Sequence, residues 1–334
     1  MTITPLTYPE TSHLPNLPSK AFEIIHNIQS GQILGASRSI RLINDAFCIQ
    51  VDESIEISGK ALAEQVRSWA DYLVATRGAL SPAVGNAIEI VLKGLEDVAL
   101  SDRVQDVRAF LHAKTEYYNQ SSVEHIQKIA QYGANLLHDG GTVLAYDYSS
   151  SVNAVLIRAA EEGKKLHIII PESRALNGGL PILRDMLPYD NNITFTVDVA
   201  IGNELKRCSA ALVGAESLTG DGGFWTTVGT GSVAVLARYH RVPFYVPTEL
   251  IKFDPRSIVG VYRQVTRAKL PIFDFQDLTQ LPERVLVECD DLEFTPRTLV
   301  TGYITEEGLL PPEAILGAFH KMMGTIPTGT AVES

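Results

Sequence analysis

The chain has 334 residues, 45% of them hydrophobic, enough for one large domain or two ordinary ones with a real core. Its formal net charge of −11 argues against non-specific nucleic-acid binding, which needs a basic surface. No apolar run is long enough to span a membrane, and the N-terminus lacks a signal-peptide pattern. The three cysteines show no metal-site spacing. We therefore expect a cytoplasmic protein that contacts neither nucleic acid nor membrane and needs no metal or cofactor.

The sequence before residue 120 predicts helices. Apolar residues recur at helical spacing over residues 61–76 and 83–95. A third helix is predicted over 104–117. A fourth is predicted to start at Ser121, where the spacing to Glu124 matches a capping box.

After Gly141 predicted strands alternate with predicted helices. The strands are short, nearly continuous apolar runs, which is typical of a parallel sheet covered on both faces. Right-handed crossovers then give a doubly wound sheet. The predicted strands are 142–145, 166–170, 193–197, 210–213 and 243–246, and the helices between them include 152–162 and 232–240. We therefore predict an α/β fold with an N-terminal helical domain over residues 1–120 and a Rossmann-like ligand-binding domain over 121–334.

Two carboxylates follow predicted strands of this sheet. Ligands of doubly wound sheets bind beyond the carboxyl ends of the strands. Asp147 follows the first strand, between Tyr146 and Tyr148, whose rings are expected to raise its pKa so that it serves as an acid. Glu216 follows the fourth strand and is the candidate base. The alternative for Glu216 is a carboxylate that caps a loop.

Other polar residues at this edge are candidates for ligand binding. A helix N-terminus attracts anions, which favours Ser149 after the first strand and Gly229 with Thr230 at the opening of a later helix. Arg174 follows the second strand, where its guanidinium can bind a phosphate or a carboxylate through two hydrogen bonds. The structural alternatives are a helix cap for Ser149 and a surface ion pair between Arg174 and Glu172.

Several segments occur in an order that resembles a known superfamily. These are PESR at 171–174, VGAE at 213–216, DGG at 221–223, VGT at 228–230 and PFYVPTELIKF at 243–253. The resemblance is to the superfamily of the regulatory subunits of eukaryotic initiation factor 2B, methylthioribose phosphate isomerase and ribose bisphosphate isomerase. It implies a helical N-terminal domain, a Rossmann-like domain of the NagB/RpiA/CoA-transferase-like kind, and a homodimer formed through the latter.

The same resemblance implies binding residues for an anionic or polyol small molecule. Gly35, Ala36 and Arg77 are similar to phosphate-site positions of the isomerases. Arg174 and Lys252 are further cations for an anionic ligand, and Thr226 and Thr227, just before the Gly-Thr pair, are further candidates for contact with the substrate.

This sequence also departs from the isomerases at four positions. The isomerases carry a cysteine where this chain has Asp147 and an aspartate where it has Glu216. They carry an Asn-Lys pair, whose lysine contacts the sugar phosphate, where this chain has Thr226 and Thr227. The loss of that lysine puts phosphate binding at this point in doubt.

Two functional hypotheses follow. The first is an aldose–ketose isomerase, an intramolecular oxidoreductase acting on a sugar phosphate or a sugar-like substrate, with Asp147 and Glu216 as its proton-transfer pair. The alternative is a non-catalytic regulatory subunit, similar to those of initiation factor 2B, that senses a sugar phosphate or nucleotide. The missing cysteine favours the second hypothesis, and the carboxylate at its position favours the first.

Overall fold

The computed structural model describes residues 18–29, 36–262, 265, 267–269, 284–285 and 288–325. Contacts among these residues divide the chain into two compact units. The helical unit comprises the described residues up to Val123 and those from Lys321 onward. The sheet unit runs from Glu124 to His320. That each unit is a functional domain, divided near residue 120, stays a prediction.

The helical unit is built around large aromatic side chains. Phe47 and Trp69 are almost completely buried, with ring centroids 6.4 Å apart. Ser58 begins one helix because its hydroxyl accepts the backbone N–H of Ala61 at 3.3 Å. The helices are α1 (Ser19–Gln29), α2 (Ala36–Glu53), α3 (Gly59–Leu73), α4 (Pro82–Leu92), α5 (Leu95–Ala99) and α6 (Val104–Leu136), with a π-helix at Val74–Gly78.

The predicted start of a helix at Ser121 is wrong. Helix α6 continues through Ser121 without interruption as far as Leu136. The stretch before Gly133 contains no glycine or proline, so nothing stops a helix that has already formed from propagating. A capping-box spacing therefore marks a helix start only where the preceding residues cannot be helical.

A seven-stranded, mostly parallel sheet forms the centre of the second unit. Its strands are β1 (Thr142–Tyr146), β2 (His167–Pro171), β3 (Asn192–Thr196), β4 (Ala210–Val213), β7 (Phe244–Pro247), β11 (Gly302–Thr305) and β12 (Gly308–Leu310). They lie in the order β12-β11-β7-β4-β1-β2-β3. Only the β11–β12 pair is antiparallel among the paired strands of this sheet that the structure describes. The helices of this unit are α7 (Ser150–Glu161), α8 (Gly179–Met186), α9 (Ile201–Glu204), α10 (Thr230–His240) and α11 (Ile315–Thr325), which extends beyond it.

Two smaller antiparallel sheets accompany the main one. Strand β6 (Phe224–Thr227) lies between β5 (Ser217–Leu218) and β10 (Leu292–Thr295). Strands β8 (Arg267–Lys269) and β9 (Glu288–Asp290) pair with each other. The three-stranded sheet matters for function because β6 comes between the end of β4 and the start of α10.

The central strands are buried because their sequences are apolar on both faces. All four residues of β4 are buried, as are the last four of β1 and of β2. Their side chains share a core with helices α7 and α8, through residues such as Val155 and Ile182. This arrangement confirms the predicted α/β class, with a helical region followed by a mostly parallel Rossmann-like sheet. Within the described part of the chain, no helix is both long and apolar enough to cross a membrane.

Candidate functional site

The strand order reverses direction between β1 and β4. From β1 the chain moves outward to β2 and β3 on one side, and from β4 it moves outward to β7 and β11 on the other. The loops after these two neighbouring strands therefore diverge and leave a crevice, the usual ligand site of a doubly wound sheet. Tyr146 is paired with Val213 at the ends of the two strands. The residues that follow, Asp147 on one loop and Gly214 to Glu216 on the other, thus leave the sheet at the same point.

Asp147 is buried and held by two hydroxyl groups. Its side chain accepts hydrogen bonds from the Ser173 hydroxyl at 2.8 Å and from the Thr227 hydroxyl at 2.5 Å. Only 8% of the residue is exposed. Burial raises the pKa of the carboxyl above its ordinary value, and the two hydroxyl hydrogen bonds offset part of this effect.

The backbone around Asp147 is in an unusual conformation. Asp147 has a φ of 59° and Ser173, at the end of β2, has a φ of 49°. Non-glycine residues with such angles are uncommon and concentrate at functional sites, where the surrounding structure holds them in place. Asp147 and Ser173, which are hydrogen-bonded to each other, therefore both have a left-handed backbone conformation.

Glu216 reaches the same neighbourhood through strand β6. Its backbone N–H donates to the Trp225 carbonyl at 2.9 Å, although the sheet pairs Trp225 with Ser217. Glu216 and Ser217 thus both lie opposite Trp225, which is the arrangement of a β-bulge. Bulges often change the direction of a side chain next to a functional site. Two positions further along β6, Thr227 binds Asp147. One short strand therefore contacts both candidate catalytic residues, and Glu216 is half-buried there.

Two cations predicted to bind ligand already have partners in the protein. The Lys252 ammonium donates to the Ala215 carbonyl at 2.8 Å, which places it beside the loop that carries Glu216. The Arg174 guanidinium lies 3.0 Å from a carboxylate oxygen of Glu172, and more than half of its side chain is exposed. Arg174 thus forms the ion pair named above as its structural alternative. Ligand binding by either cation stays a prediction.

The side chains of Ser149 and Thr226 both lie against Gly214, in the loop that follows β4. Ser149 is the N-cap of α7 and accepts the Val152 N–H at 3.4 Å. A Cβ atom on Gly214 would overlap the Ser149 hydroxyl, so glycine is what lets the two loops approach. The Thr226 hydroxyl donates to the Gly214 carbonyl at 2.8 Å. Both side chains stabilise the crevice, and contact with a ligand remains a prediction for each.

The start of α10 is attached to the end of β1. The Tyr146 hydroxyl donates to the Val228 carbonyl at 2.9 Å. Gly229, with a φ of 98°, lies directly against that hydroxyl. Thr230, the first residue of α10, is fully buried, and the Gly231 N–H donates to a carboxylate oxygen of Glu293 at 2.6 Å.

We expect Gly229→Ala to destabilise the protein by about 2 kcal/mol more than Gly163→Ala. Both glycines have positive φ, so both substitutions incur a backbone cost of roughly 1–2 kcal/mol. Only at Gly229 would the new Cβ overlap the Tyr146 hydroxyl, whereas Gly163 has open space around it. Urea unfolding of the two variants measures the difference. Equal destabilisation would show that Tyr146 moves aside freely.

The resemblance predicts three phosphate-binding residues near the start of the chain: Gly35, Ala36 and Arg77. Ala36 is the first residue of α2 and is half-buried. Arg77 is half-buried within the π-helix Val74–Gly78. Such π-helical turns are rare and frequent at functional sites. Gly35 lies outside the described residues. A role for these three in phosphate binding stays a prediction.

Sequence reasoning missed three residues that shape the crevice. Ser173 belongs to the PESR segment, but its hydrogen bond to Asp147 depends on the turn after β2, which the sequence does not predict. Asp198 follows β3 and accepts the backbone N–H groups of Ser173 and Arg174, each at 2.8 Å. The rule that function follows strand ends would have found Asp198. Glu293 lies on β10, which no sequence pattern predicted.

Comparisons with known proteins agree with this fold. Ribose 1,5-bisphosphate isomerase of Methanocaldococcus jannaschii is 27% identical over 303 residues, covering 90% of this chain and 95% of the relative. Among solved structures, translation initiation factor eIF-2B of Pyrococcus horikoshii OT3 is similar with a TM-score of 0.72 and 23% identity, covering 89% of this chain and 98% of that one. 5-Methylthioribose 1-phosphate isomerase of the same organism has a TM-score of 0.72 and 21% identity, covering 91% and 88%. A family profile, that of the initiation factor 2 subunit family, matches residues 36–312. The chain belongs to the initiation factor 2 subunit family.

Proposed function

We propose that the protein is a sugar-phosphate isomerase that interconverts an aldose and a ketose. Two carboxyl groups, those of Glu216 and Asp147, transfer protons to and from the substrate. In a sugar 1-phosphate the first carbon is bonded to the ring oxygen and carries no free carbonyl. Glu216 removes the proton from the second carbon while Asp147 gives its proton to the ring oxygen, which breaks the bond between that oxygen and the first carbon and leaves an enol phosphate. Glu216, whose newly acquired proton exchanges with solvent, then protonates the first carbon, and the hydroxyl proton of the second carbon goes to Asp147, which leaves the ketone. Atoms and charge balance without any cofactor.

The observation that carries the proposal is the buried carboxyl of Asp147 at the switch point of the sheet. An acid catalyst must hold a proton near neutral pH, and burial raises the pKa of Asp147 in that direction. The hydroxyls of Ser173 and Thr227 can donate to the carboxylate or accept from the protonated acid. Both protonation states of Asp147 are therefore hydrogen-bonded, as a group that cycles between them requires.

The similarity to a named isomerase supports the same reaction class. The Methanocaldococcus relative named ribose 1,5-bisphosphate isomerase aligns over 90% of this chain. Its name points to a phosphorylated sugar as the substrate. We extend that substrate class to this chain, with the carboxyl pair supplying the chemistry.

The direct experiment is a turnover assay with sugar phosphates of the two kinds that the similar proteins are named for. The purified chain is incubated with ribose 1,5-bisphosphate or with 5-methylthioribose 1-phosphate, and ketose formation is followed by NMR. We expect one of them to be converted by the wild type. Asp190→Asn is the matched control, because Asp190 is an exposed carboxylate of the same unit, paired with Lys165.

A binding protein without turnover is the second candidate. Its support is that both carboxyl oxygens of Asp147 are engaged by protein hydroxyls. The similarity in fold to an eIF-2B structure is also compatible with it. Calorimetry that shows tight binding of a sugar phosphate or nucleotide, with no product after prolonged incubation, would favour this candidate over the isomerase.

We further propose that the chain forms a homodimer through its sheet unit. The proposal rests on the resemblance to a superfamily whose members dimerise in this way. Light scattering at micromolar concentration is expected to give about twice the 36.5 kDa chain mass. A measured mass of 36.5 kDa at every micromolar concentration tested would refute the dimer.

A further inference from the structure

We propose that Glu293 makes the site selective for sugars that present hydroxyl groups, not a phosphate, to the start of helix α10. The substrate class is then a singly phosphorylated sugar in preference to a bisphosphate. This inference rests on the proposed function, since it concerns the same crevice. It goes further by naming the end of the substrate that enters and the residue that selects it.

The first step is that an anion of the protein itself already occupies the start of α10. The N-terminus of a helix carries unbonded N–H groups and a partial positive charge, so it is a common phosphate site. Here β10 pairs with β6, which places Glu293 opposite Thr226. From that position its carboxylate accepts the Gly231 N–H at 2.6 Å. A phosphate at this position would have to displace Glu293 or lie against it.

The second step is that the start of α10 belongs to the same crevice as Asp147. Thr227 binds Asp147, and the Tyr146 hydroxyl donates to the carbonyl of Val228, the next residue. A group that reaches Asp147 therefore also lies close to the first turn of α10. The charge of Glu293 thus acts on whatever part of a substrate enters there.

The third step is the sign of the local charge. Burial raises the pKa of the Tyr146 phenol, and neighbouring carboxylates, among them Asp198 and Glu293, raise it further. The nearby cation Lys252 donates to the Ala215 carbonyl. Several carboxylates around one phenol repel a second anion, and a partly buried pocket strengthens that repulsion.

The fourth step is hydrogen-bonding chemistry. Carboxylates only accept hydrogen bonds, and so does a fully ionised phosphate, whereas a sugar hydroxyl donates as well as accepts. Among the described residues, the buried hydroxyls of Thr230, first in α10, and Ser151, second in α7, have no protein hydrogen-bond partner. Buried polar groups are normally satisfied, so these two hydroxyls need a polar partner. They can donate to a sugar hydroxyl or to a phosphate, so the selection rests on Glu293, to which a sugar hydroxyl can donate and a fully ionised phosphate cannot.

The test compares substrate preference in the wild type and in Glu293→Gln. Glutamine keeps an oxygen that can accept the Gly231 N–H but removes the negative charge. The ratio of kcat/KM for ribose 1-phosphate to kcat/KM for ribose 1,5-bisphosphate is measured for both proteins, because these two sugars differ only by a hydroxyl in place of the second phosphate. We expect the wild type to prefer the monophosphate and the ratio to fall roughly ten-fold in the variant, as loss of one nearby charge predicts. Asp106→Asn, at the start of α6, is the control for removing a carboxylate from a helix N-terminus.

Binding measurements keep this inference separate from the proposed function. Calorimetry with inorganic pyrophosphate and with both sugar phosphates reports affinity even if nothing is turned over. Tighter pyrophosphate and bisphosphate binding by Glu293→Gln, but not by Asp106→Asn, supports the inference whether or not the protein is an isomerase. If the relative affinities and the kcat/KM ratio change less than two-fold while Glu293→Gln remains folded by circular dichroism, Glu293 is only a helix cap and the inference is overturned.

Discussion

Replacing Glu216 by glutamine is expected to lower the turnover of a sugar phosphate about a hundred- to ten-thousand-fold, the usual contribution of a general base. Glutamine keeps the size and hydrogen-bonding capacity of the side chain but cannot take a proton from carbon. The dissociation constant from calorimetry should therefore change little, so the loss should fall on kcat and not on binding.

Asp147→Asn should have an effect of the same order for the complementary reason. Asparagine can still bond with Ser173 and Thr227, so the turn after β1 should persist, but it has no acidic proton to give. Asp190→Asn, which removes an exposed carboxylate of the same unit, should leave kcat unchanged. If turnover survives both Glu216→Gln and Asp147→Asn, the carboxyl pair is structural.

The second large effect concerns a buried carboxyl at the end of β11. Glu306 is 5% exposed, and its two oxygens accept the backbone N–H of Leu250, each at 3.1 Å. Burial, reinforced by the neighbouring charge of Glu249, raises the pKa of Glu306 to about 7. His125 lies 3.9 Å away, but burial lowers its pKa, so it gives little compensating charge at neutral pH.

The sign of the pH dependence follows from this raised pKa. The unfolded chain releases the Glu306 proton near pH 4.5, whereas the folded chain keeps it until about pH 7. The stabilising effect of the neutral acid is therefore complete below pH 4.5 and is lost as the pH rises to 7. The shift corresponds to about 3 kcal/mol of unfolding free energy.

Glu306→Gln removes this titration. Relative to the wild type, the variant's free energy of unfolding should increase by about 3 kcal/mol between pH 4.5 and pH 7.5. Urea unfolding across that range measures the difference. Subtracting the wild-type curve cancels the titrating groups that do not interact with Glu306, and the difference that remains reports Glu306 together with its neighbours His125 and Glu249. Glu313→Gln, which changes an exposed carboxylate, should give a flat difference. A flat difference for Glu306→Gln as well would mean that folding does not raise the pKa of Glu306.

The parallel sheet was predictable because its signal is local. Apolar runs bounded by glycine and polar residues located strands β1, β2, β3, β4 and β7 to within one or two residues. Strand ends then pointed to Asp147 and Glu216 as candidates. The catalytic roles of these two residues remain predictions. Their position where the strand order reverses, between β1 and β4, could be expected from the fold class alone.

The rest depends on contacts between distant parts of the chain. Glu293 comes to α10 only because β10 pairs with β6 across more than 60 residues, and its short strand has no distinctive pattern. The Ser173 hydroxyl reaches Asp147 only because both residues adopt positive φ, which no composition rule demands. Likewise, the long helix α6 overrode a local capping signal at Ser121.

The most direct test of the central claim is to run the reaction in D₂O and to locate deuterium in the product by NMR. The wild type is incubated with the sugar phosphate that it converts, and the ketose is examined at the carbon that received the new hydrogen. Proton transfer through Glu216 predicts solvent deuterium at that carbon, at a rate that falls with Glu216→Gln. A ketose free of solvent deuterium, or a bound sugar phosphate that is never converted, would contradict the proposed carboxylate mechanism.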